Sequence, residues 1–154
     1  MFYKTSLAFT LIELTIASAV ILIITSTVIV LINPTYFKQK SNDTQRVKNL
    51  SLIFEAINEY KFKNKTYPGE NNVLYKSNSF ILNTKDWIPE NLNNLLPYQF
   101  VDPINKNKYI FEYIHNDSDF EINAVLEIKK DTMENDKGNN ANKFEMGTDL
   151  YLLD

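Results

Sequence analysis

Phe9-Thr-Leu-Ile-Glu13-Leu-Thr-Ile-Ala-Ser-Ala-Val-Ile-Leu-Ile-Ile-Thr-Ser-Thr-Val-Ile-Val-Leu-Ile32 is a run of twenty-four residues with one charge and neither glycine nor proline. At about 1.5 Å per residue, a helix of this length measures roughly 36 Å, enough to cross a hydrocarbon core about 30 Å thick. β-Branched Ile, Val and Thr dominate, which would suit a strand in water. In lipid a lone segment must close its own backbone hydrogen bonds, and only a helix does so. The expectation is one transmembrane helix. Around this run, a chain of 154 residues that is 44% apolar still has a mean hydropathy of -0.28, so its apolar content is segregated. That excludes a plain water-soluble globule and a multi-span membrane protein. The length suits one domain of ordinary size. Without cysteine there is neither a disulfide nor a thiolate metal site, and a net charge of -3 gives no global attraction to nucleic acid.

Three readings of the run compete. Ala17-Ser18-Ala19 has the small-residue pattern of a signal-peptide cleavage site, yet thirteen further apolar or hydroxyl residues follow it. A simple uncleaved anchor is the second. The third turns on Glu13, a carboxylate one turn inside the apolar run, where a charge costs on the order of 2.5–3.5 kcal/mol. The run holds no Lys, Arg or His, so a charge partner must come from another chain or a chain terminus. A cut after Ala8 would create a new amine at Phe9, and that amine on one subunit could neutralise Glu13 on its neighbour. The plain alternative is a Glu13 that snorkels or protonates near the interface.

Ala8-Phe9-Thr10-Leu11-Ile12-Glu13-Leu14 resembles the processing site of type IV prepilins and of the pseudopilins of type II secretion. The resemblance implies a leader over 1–8, cleavage between Ala8 and Phe9 by a prepilin peptidase, and methylation of the Phe9 amine. It implies that Glu13 pairs with the amino terminus of an adjacent subunit. Ala8 stands where the family usually has Gly, and Pro34 lies beyond the position of the kinking proline in many pilins. Basic residues Lys38, Lys40, Arg46 and Lys48 after the span would hold the carboxyl side in the cytoplasm, whereas the resemblance puts the head outside. Folded domains translocate largely regardless of such charges.

Beyond Ile32, Asn33-Pro34 predicts a kink or break, since proline removes a helix hydrogen bond and restricts the residue before it. Helical periodicity then returns through Lys63: Val47, Leu50, Phe54 and Ile57 form one stripe, with Ile53 and Tyr60 beside it. Lys48, Glu55, Glu59 and Lys63 fall on or near the other face. Asn64 to Gly69 stops the helix. Residues 70–100 read as an Asn-rich loop with a short helix or packed turn around Trp87-Ile88-Pro89, Leu92, Leu95 and Leu96. A strand is expected at Tyr109–Tyr113. Phe120 to Ile128 alternates with period two and joins it in an antiparallel hairpin across Asn116-Asp117-Ser118-Asp119. Lys143 to Leu153 is a candidate third strand. The Tyr60–Pro68 turn, the Asp102-Pro103 turn and the following strand also resemble the pseudopilin head. The expected fold is α+β: a long amino-terminal helix, its first half transmembrane, packed on a small antiparallel sheet. The divisions are leader 1–8, membrane and assembly helix 9–32, amphipathic stem 33–66 and β head 67–154.

Asp131, Glu134 and Asp136, before Gly138 and Asn139, supply the hard oxygen ligands that calcium takes, without the spacing of a helix–loop–helix site. Major pseudopilins carry calcium in a carboxyl-terminal loop, so the resemblance adds weight to calcium as a cofactor, beside the alternative of a solvated acidic loop. His115 reads as a polar residue at a strand end and Trp87 as head core. The sequence shows no Gly-rich phosphate loop, paired-His motif or nucleophile elbow, and an enzyme is not expected. Residues 33–66 carry seven basic against three acidic residues, and 117–154 four against ten. Such a stem and head could attract one another between stacked subunits, or simply be solvated.

The function expected is a structural subunit of a type IV pilus or pseudopilus. It would be held in the inner membrane with its head outside and then polymerise through its amino-terminal helix. Implied partners are membrane lipid, copies of the chain in a homopolymer or mixed pilus, the prepilin peptidase, and an inner-membrane assembly platform with its ATPase. Nucleic acid is not among them. The alternatives are the major pseudopilin of a type II secretion system and a membrane-tethered binding module that never polymerises.

Overall fold

The computed structural model describes residues 9–79, 86–89, 92, 95–96 and 100–153. It is α+β, in the order α1 (Leu11–Ile32), α2 (Pro34–Asn64), β1 (Tyr75–Lys76), β2 (Phe111–His115), β3 (Phe120–Ala124), α3 (Lys130–Glu134) and β4 (Phe144–Gly147). The chain divides into two compact units, Met1–Lys38 and Gln39–Asp154.

In the first unit the β-branched run is helical, and every side chain from Phe9 to Leu31 is exposed. Five hydroxyls interrupt its apolar surface. Thr15, Ser18, Thr25, Ser26 and Thr27 each donate to a carbonyl three or four residues back, at 2.7–2.9 Å. The polar groups are thereby closed onto their own helix. The break expected at Asn33-Pro34 takes one residue. Asn33 is left-handed, with φ 46°, which stops α1, and its carbonyl accepts the Tyr36 and Phe37 amides at 3.1 and 3.4 Å. Pro34 opens α2, the helical position where a missing N–H costs least.

In the second unit α2 buries Asp43, Arg46, Leu50, Ile53, Ala56 and Ile57, while Lys48, Glu55, Glu59 and Lys63 stay in solvent. Val47 and Phe54, expected on the buried stripe, flank it half-buried, as does Tyr60, expected beside it, while Ile53 is buried. The buried line continues instead through Arg46 and Asp43, which apolar periodicity does not register. Lys65, with φ 64° and its amide on the Lys61 carbonyl, ends the helix.

Four strands form one antiparallel sheet in the order β1-β2-β3-β4. Register places Tyr75, Tyr113, Ile122 and Met146 in one row and Lys76, Glu112, Asn123 and Glu145 in the next. Successive side chains point to opposite faces. One face therefore joins Leu50, Ile53 and Ile57 of α2 in a core with Phe111, Tyr113, Phe120 and Ile122, and the other carries the charges. Trp87, Ile88, Leu92 and Leu96 complete that core. The Trp87 indole N–H donates to the Phe100 carbonyl at 2.9 Å, and the Leu92 carbonyl accepts the Leu95 and Leu96 amides at 2.8 Å, the packed turn expected there.

The strand limits differ from the sequence pattern for definable reasons. β2 begins two residues later than Tyr109, whose backbone pairs with Lys106 in a tight bridge. β3 stops at Ala124, short of Ile128, because the Glu127, Ile128 and Lys129 amides turn to the Asp43 carboxylate at 2.8, 2.9 and 3.2 Å. β4 occupies only the start of the expected Lys143–Leu153 strand. Its last residue, Gly147, lies so close to β3 that a Cβ would overlap the Phe120 carbonyl oxygen. β1 is two residues long and has no alternation to read.

Leu50 is fully buried against the sheet, so Leu50→Ala is expected to lower stability by about 2–5 kcal/mol. Lys48→Ala, in solvent two residues away, should stay within about 0.5 kcal/mol. Denaturant unfolding of the full chain in detergent, followed by Trp87 fluorescence, checks both.

Candidate functional site

The residues singled out by the sequence sit at the start of α1. Ala8 lies outside the described residues. Phe9 is exposed, and Thr10 is the N-cap of the helix. Glu13 Oε2 accepts both the Thr10 N–H and the Thr10 hydroxyl at 2.8 Å, and Thr10 Oγ1 accepts the Glu13 amide at 3.3 Å. This is a reciprocal capping box, in which cap and third helical residue satisfy each other's backbone donors. Glu13 thus has partners in its own chain, and the Thr-x-x-Glu spacing that signals them is plain in the sequence. Both bonds from Thr10 land on Oε2, so Oε1 takes no part in the cap. The carboxylate also lies at the positive end of the helix dipole, which favours a negative charge there.

A second polar centre, which sequence reasoning missed, lies inside the head. Arg46 and Asp43 are 0% exposed. The guanidinium donates from Nε and Nη2 to the two oxygens of Asp102 at 2.6 and 3.1 Å. Its Nη1 reaches Asp43 at 2.9 Å and Glu127 at 2.8 Å. The Tyr109 ring covers the Arg46 guanidinium carbon at 4.9 Å from its centroid. Burial alone would push the Arg46 proton off, but the bonds to Asp102, Glu127 and Asp43 outweigh it and hold the charge more firmly than usual. Asp102 also accepts the Ile104 and Asn105 amides, closing the Asp-Pro turn. Asp43 and Arg46 stand three residues apart on the buried side of α2, and that spacing was the available signal.

The expected calcium ligands do not come together. Asp136 accepts the Gly138 amide on Oδ1 and the Glu145 amide on Oδ2, both at 2.8 Å, while Asp131 and Glu134 are exposed on α3. Among the described residues no three carboxylate, histidine or cysteine side chains are grouped to hold a metal ion. Asp131, Glu134 and Asp136 therefore do not fit calcium as one ligand set. His115 lies at the end of β2, a strand end as expected, and is buried. Its Nδ1 lies 3.0 Å from the Asn116 carbonyl, and the ring stacks on Tyr113 with centroids 5.8 Å apart. On the charged face of the sheet, Lys76 and Lys143 each hold Glu112 at 3.0 Å. Burial pushes the Glu112 carboxyl up, and these two ammonium groups outweigh it and keep it below the ordinary carboxyl range. The open cavities beside them measure 310 and 480 Å³ and are edged by Lys108, Lys143, Asn107 and Asn142.

Removing Arg46 would leave three carboxylates facing one another in the interior, so Arg46→Met is expected to destabilise the head by about 3–5 kcal/mol. The same substitution at exposed Lys48 should change little. Thermal unfolding of both variants beside the full wild-type chain measures the difference. No protein-family model, curated protein or solved structure matches this chain.

Proposed function

We propose that the chain is the precursor of a type IV pilus or pseudopilus subunit, cut between Ala8 and Phe9, methylated at the new amine and polymerised through α1. The observation that carries this reading is α1 itself. Leu11–Leu31 has a mean hydropathy of 2.6 with 0% of it buried, and the α+β head folds around its own separate core. Such a helix rests in lipid as a monomer and exchanges lipid for copies of itself in a filament. Glu13 sets register in this scheme, because a mispaired carboxylate among apolar side chains is costly. The role is structural and not enzymatic. The partners are the prepilin peptidase, other subunits and an inner-membrane assembly platform with its ATPase. The proposal covers pilus and secretion pseudopilus alike.

The capping box favours a second reading, a membrane-tethered binding module that never polymerises, because Glu13 already has hydrogen bonds in its own chain. Intact mass and amino-terminal sequencing of the membrane-extracted protein separate the two. A methylated Phe9 start supports the subunit. A Met1 start leaves the leader in place, denies Glu13 its amine partner and puts the tethered module first. Glu13→Ala is expected to leave the head folded and to lower filament yield strongly; an undiminished yield removes Glu13 from assembly.

A further inference from the structure

The carboxyl-terminal end of α1 leaves backbone groups that hydrocarbon does not satisfy. In a continuous helix the Val30 carbonyl would accept the amide of residue 34, and Pro34 has none. The Ile32 carbonyl would accept the Tyr36 amide. That amide goes instead to Asn33, at 3.1 Å to its carbonyl and 3.3 Å to its side-chain oxygen. Asn33 is left-handed and exposed. A lone helix in lipid has no neighbour to supply the missing donors, whereas water and polar headgroups supply them. In a chain held in lipid by α1, the break at Asn33-Pro34 belongs at the edge of the hydrocarbon and not within it.

Just past the break stand side chains suited to that edge. Tyr36 is 46% and Phe37 56% exposed, and their rings meet edge to face with centroids 6.0 Å apart. Lys38 is exposed, and among the described residues its ammonium has no ion-pair partner. Residues 33–38 hold no acid. From Tyr36 to Lys38 the helix rises about 3 Å, well inside a headgroup layer about 5–7 Å deep. A tyrosine, apolar in its ring and polar at its tip, settles at that level, and a lysine there meets lipid phosphate.

We infer that Tyr36, Phe37 and Lys38 are a docking surface for the headgroup layer of a lipid bilayer and set the depth at which α1 sits. The two rings lie at the edge of the hydrocarbon and the Lys38 ammonium reaches the phosphates. The apolar run alone does not fix that depth, because its length of about 36 Å exceeds a hydrocarbon core of about 30 Å and leaves room to slide or tilt. Two observations choose lipid over a second copy of the chain as the occupant. The surface continues the exposed apolar side chains of α1, which run to Leu31. Its charge is also of one sign, so a symmetric contact would bring two Lys38 ammonium groups into one small interface, whereas phosphate complements them. The inference rests on the reading of α1 as a helix held in lipid, and it requires no polymerisation.

Tryptophan depth in vesicles of phosphatidylcholine and phosphatidylglycerol tests the surface, with bromine carried either near the headgroup or near the chain end. The full chain is used as Phe37→Trp and, separately, as Ile23→Trp in the middle of α1, and the wild type supplies the Trp87 background. Quenching at position 37 should be strongest with shallow bromine, and at position 23 with deep bromine. Replacing Tyr36 and Phe37 by Ser in the Ile23→Trp chain should shift the depth at position 23 by about 1.5 Å or more, one residue of helix rise. Position 37 unquenched beside a deeply quenched position 23 overturns the inference and leaves the two rings to water or to a second copy. Equal depth at the two positions overturns it by placing the break inside the hydrocarbon, and an unmoved position 23 overturns the setting of depth. If position 23 is not quenched at either depth, α1 is not in lipid, and the reading beneath the inference falls with it.

Discussion

Arg46 fixes how α2 meets the rest of the head. An apolar stripe holds a helix against a sheet without strongly specifying its rotation or axial position, because dispersion and burial are nearly non-directional. A guanidinium with five directed donors is far less tolerant. Here one fork engages Asp102, in the turn before β2, and the remaining arm reaches Asp43 and Glu127. Asp43 in turn collects three successive amides just after β3. One side chain thus ties together a helix, a turn and the exit of a central strand, in a chain that has no cysteine for a covalent tie. Replacing such a knot with apolar groups can preserve stability elsewhere. What it contributes here is a unique register between α2 and the sheet.

The parts of the fold that follow from hydrophobic periodicity were legible in the sequence. They include the apolar helix, the break at Asn33-Pro34, the buried line through Leu50, Ile53 and Ile57, and the β2–β3 hairpin with its Asn116 turn. The parts set by polar side chains were not. Asp43 ends β3 earlier than its alternation suggests, and Arg46 lies where the apolar pattern points to Val47. Their three-residue spacing is that of an ordinary surface pair until the further partners that bury it, Asp102 and Glu127, are known, and those lie more than fifty residues away. Glu13 is the opposite case. Its local partner is written three residues upstream, in Thr10, whose amide and hydroxyl both reach the carboxylate without supplying a countercharge.

Along the charged face of the sheet, two acidic residues in one row, two strands apart, respond to pH in opposite senses. Glu112 sits between two ammonium groups, so its folded form favours ionisation, and its contribution fades on acidification. Glu145 sits among acids and fades on alkalinisation. Burial pushes both carboxyls up; the two ammonium groups reverse the sign at Glu112, whereas Glu121 and Asp136 add to it at Glu145. Asn123 stands between them in register and separates the two environments with a neutral amide.

The hydroxyls of α1, closed onto their own backbone, leave a long surface of methyl and methylene groups. Hydrogen-bonded hydroxyls between helices lock neighbours at fixed heights, and here they are already committed. In a bundle of such helices, height and rotation would be set by the fit of apolar ridges into grooves and by the Glu13 end, with no hydroxyl ladder between neighbours.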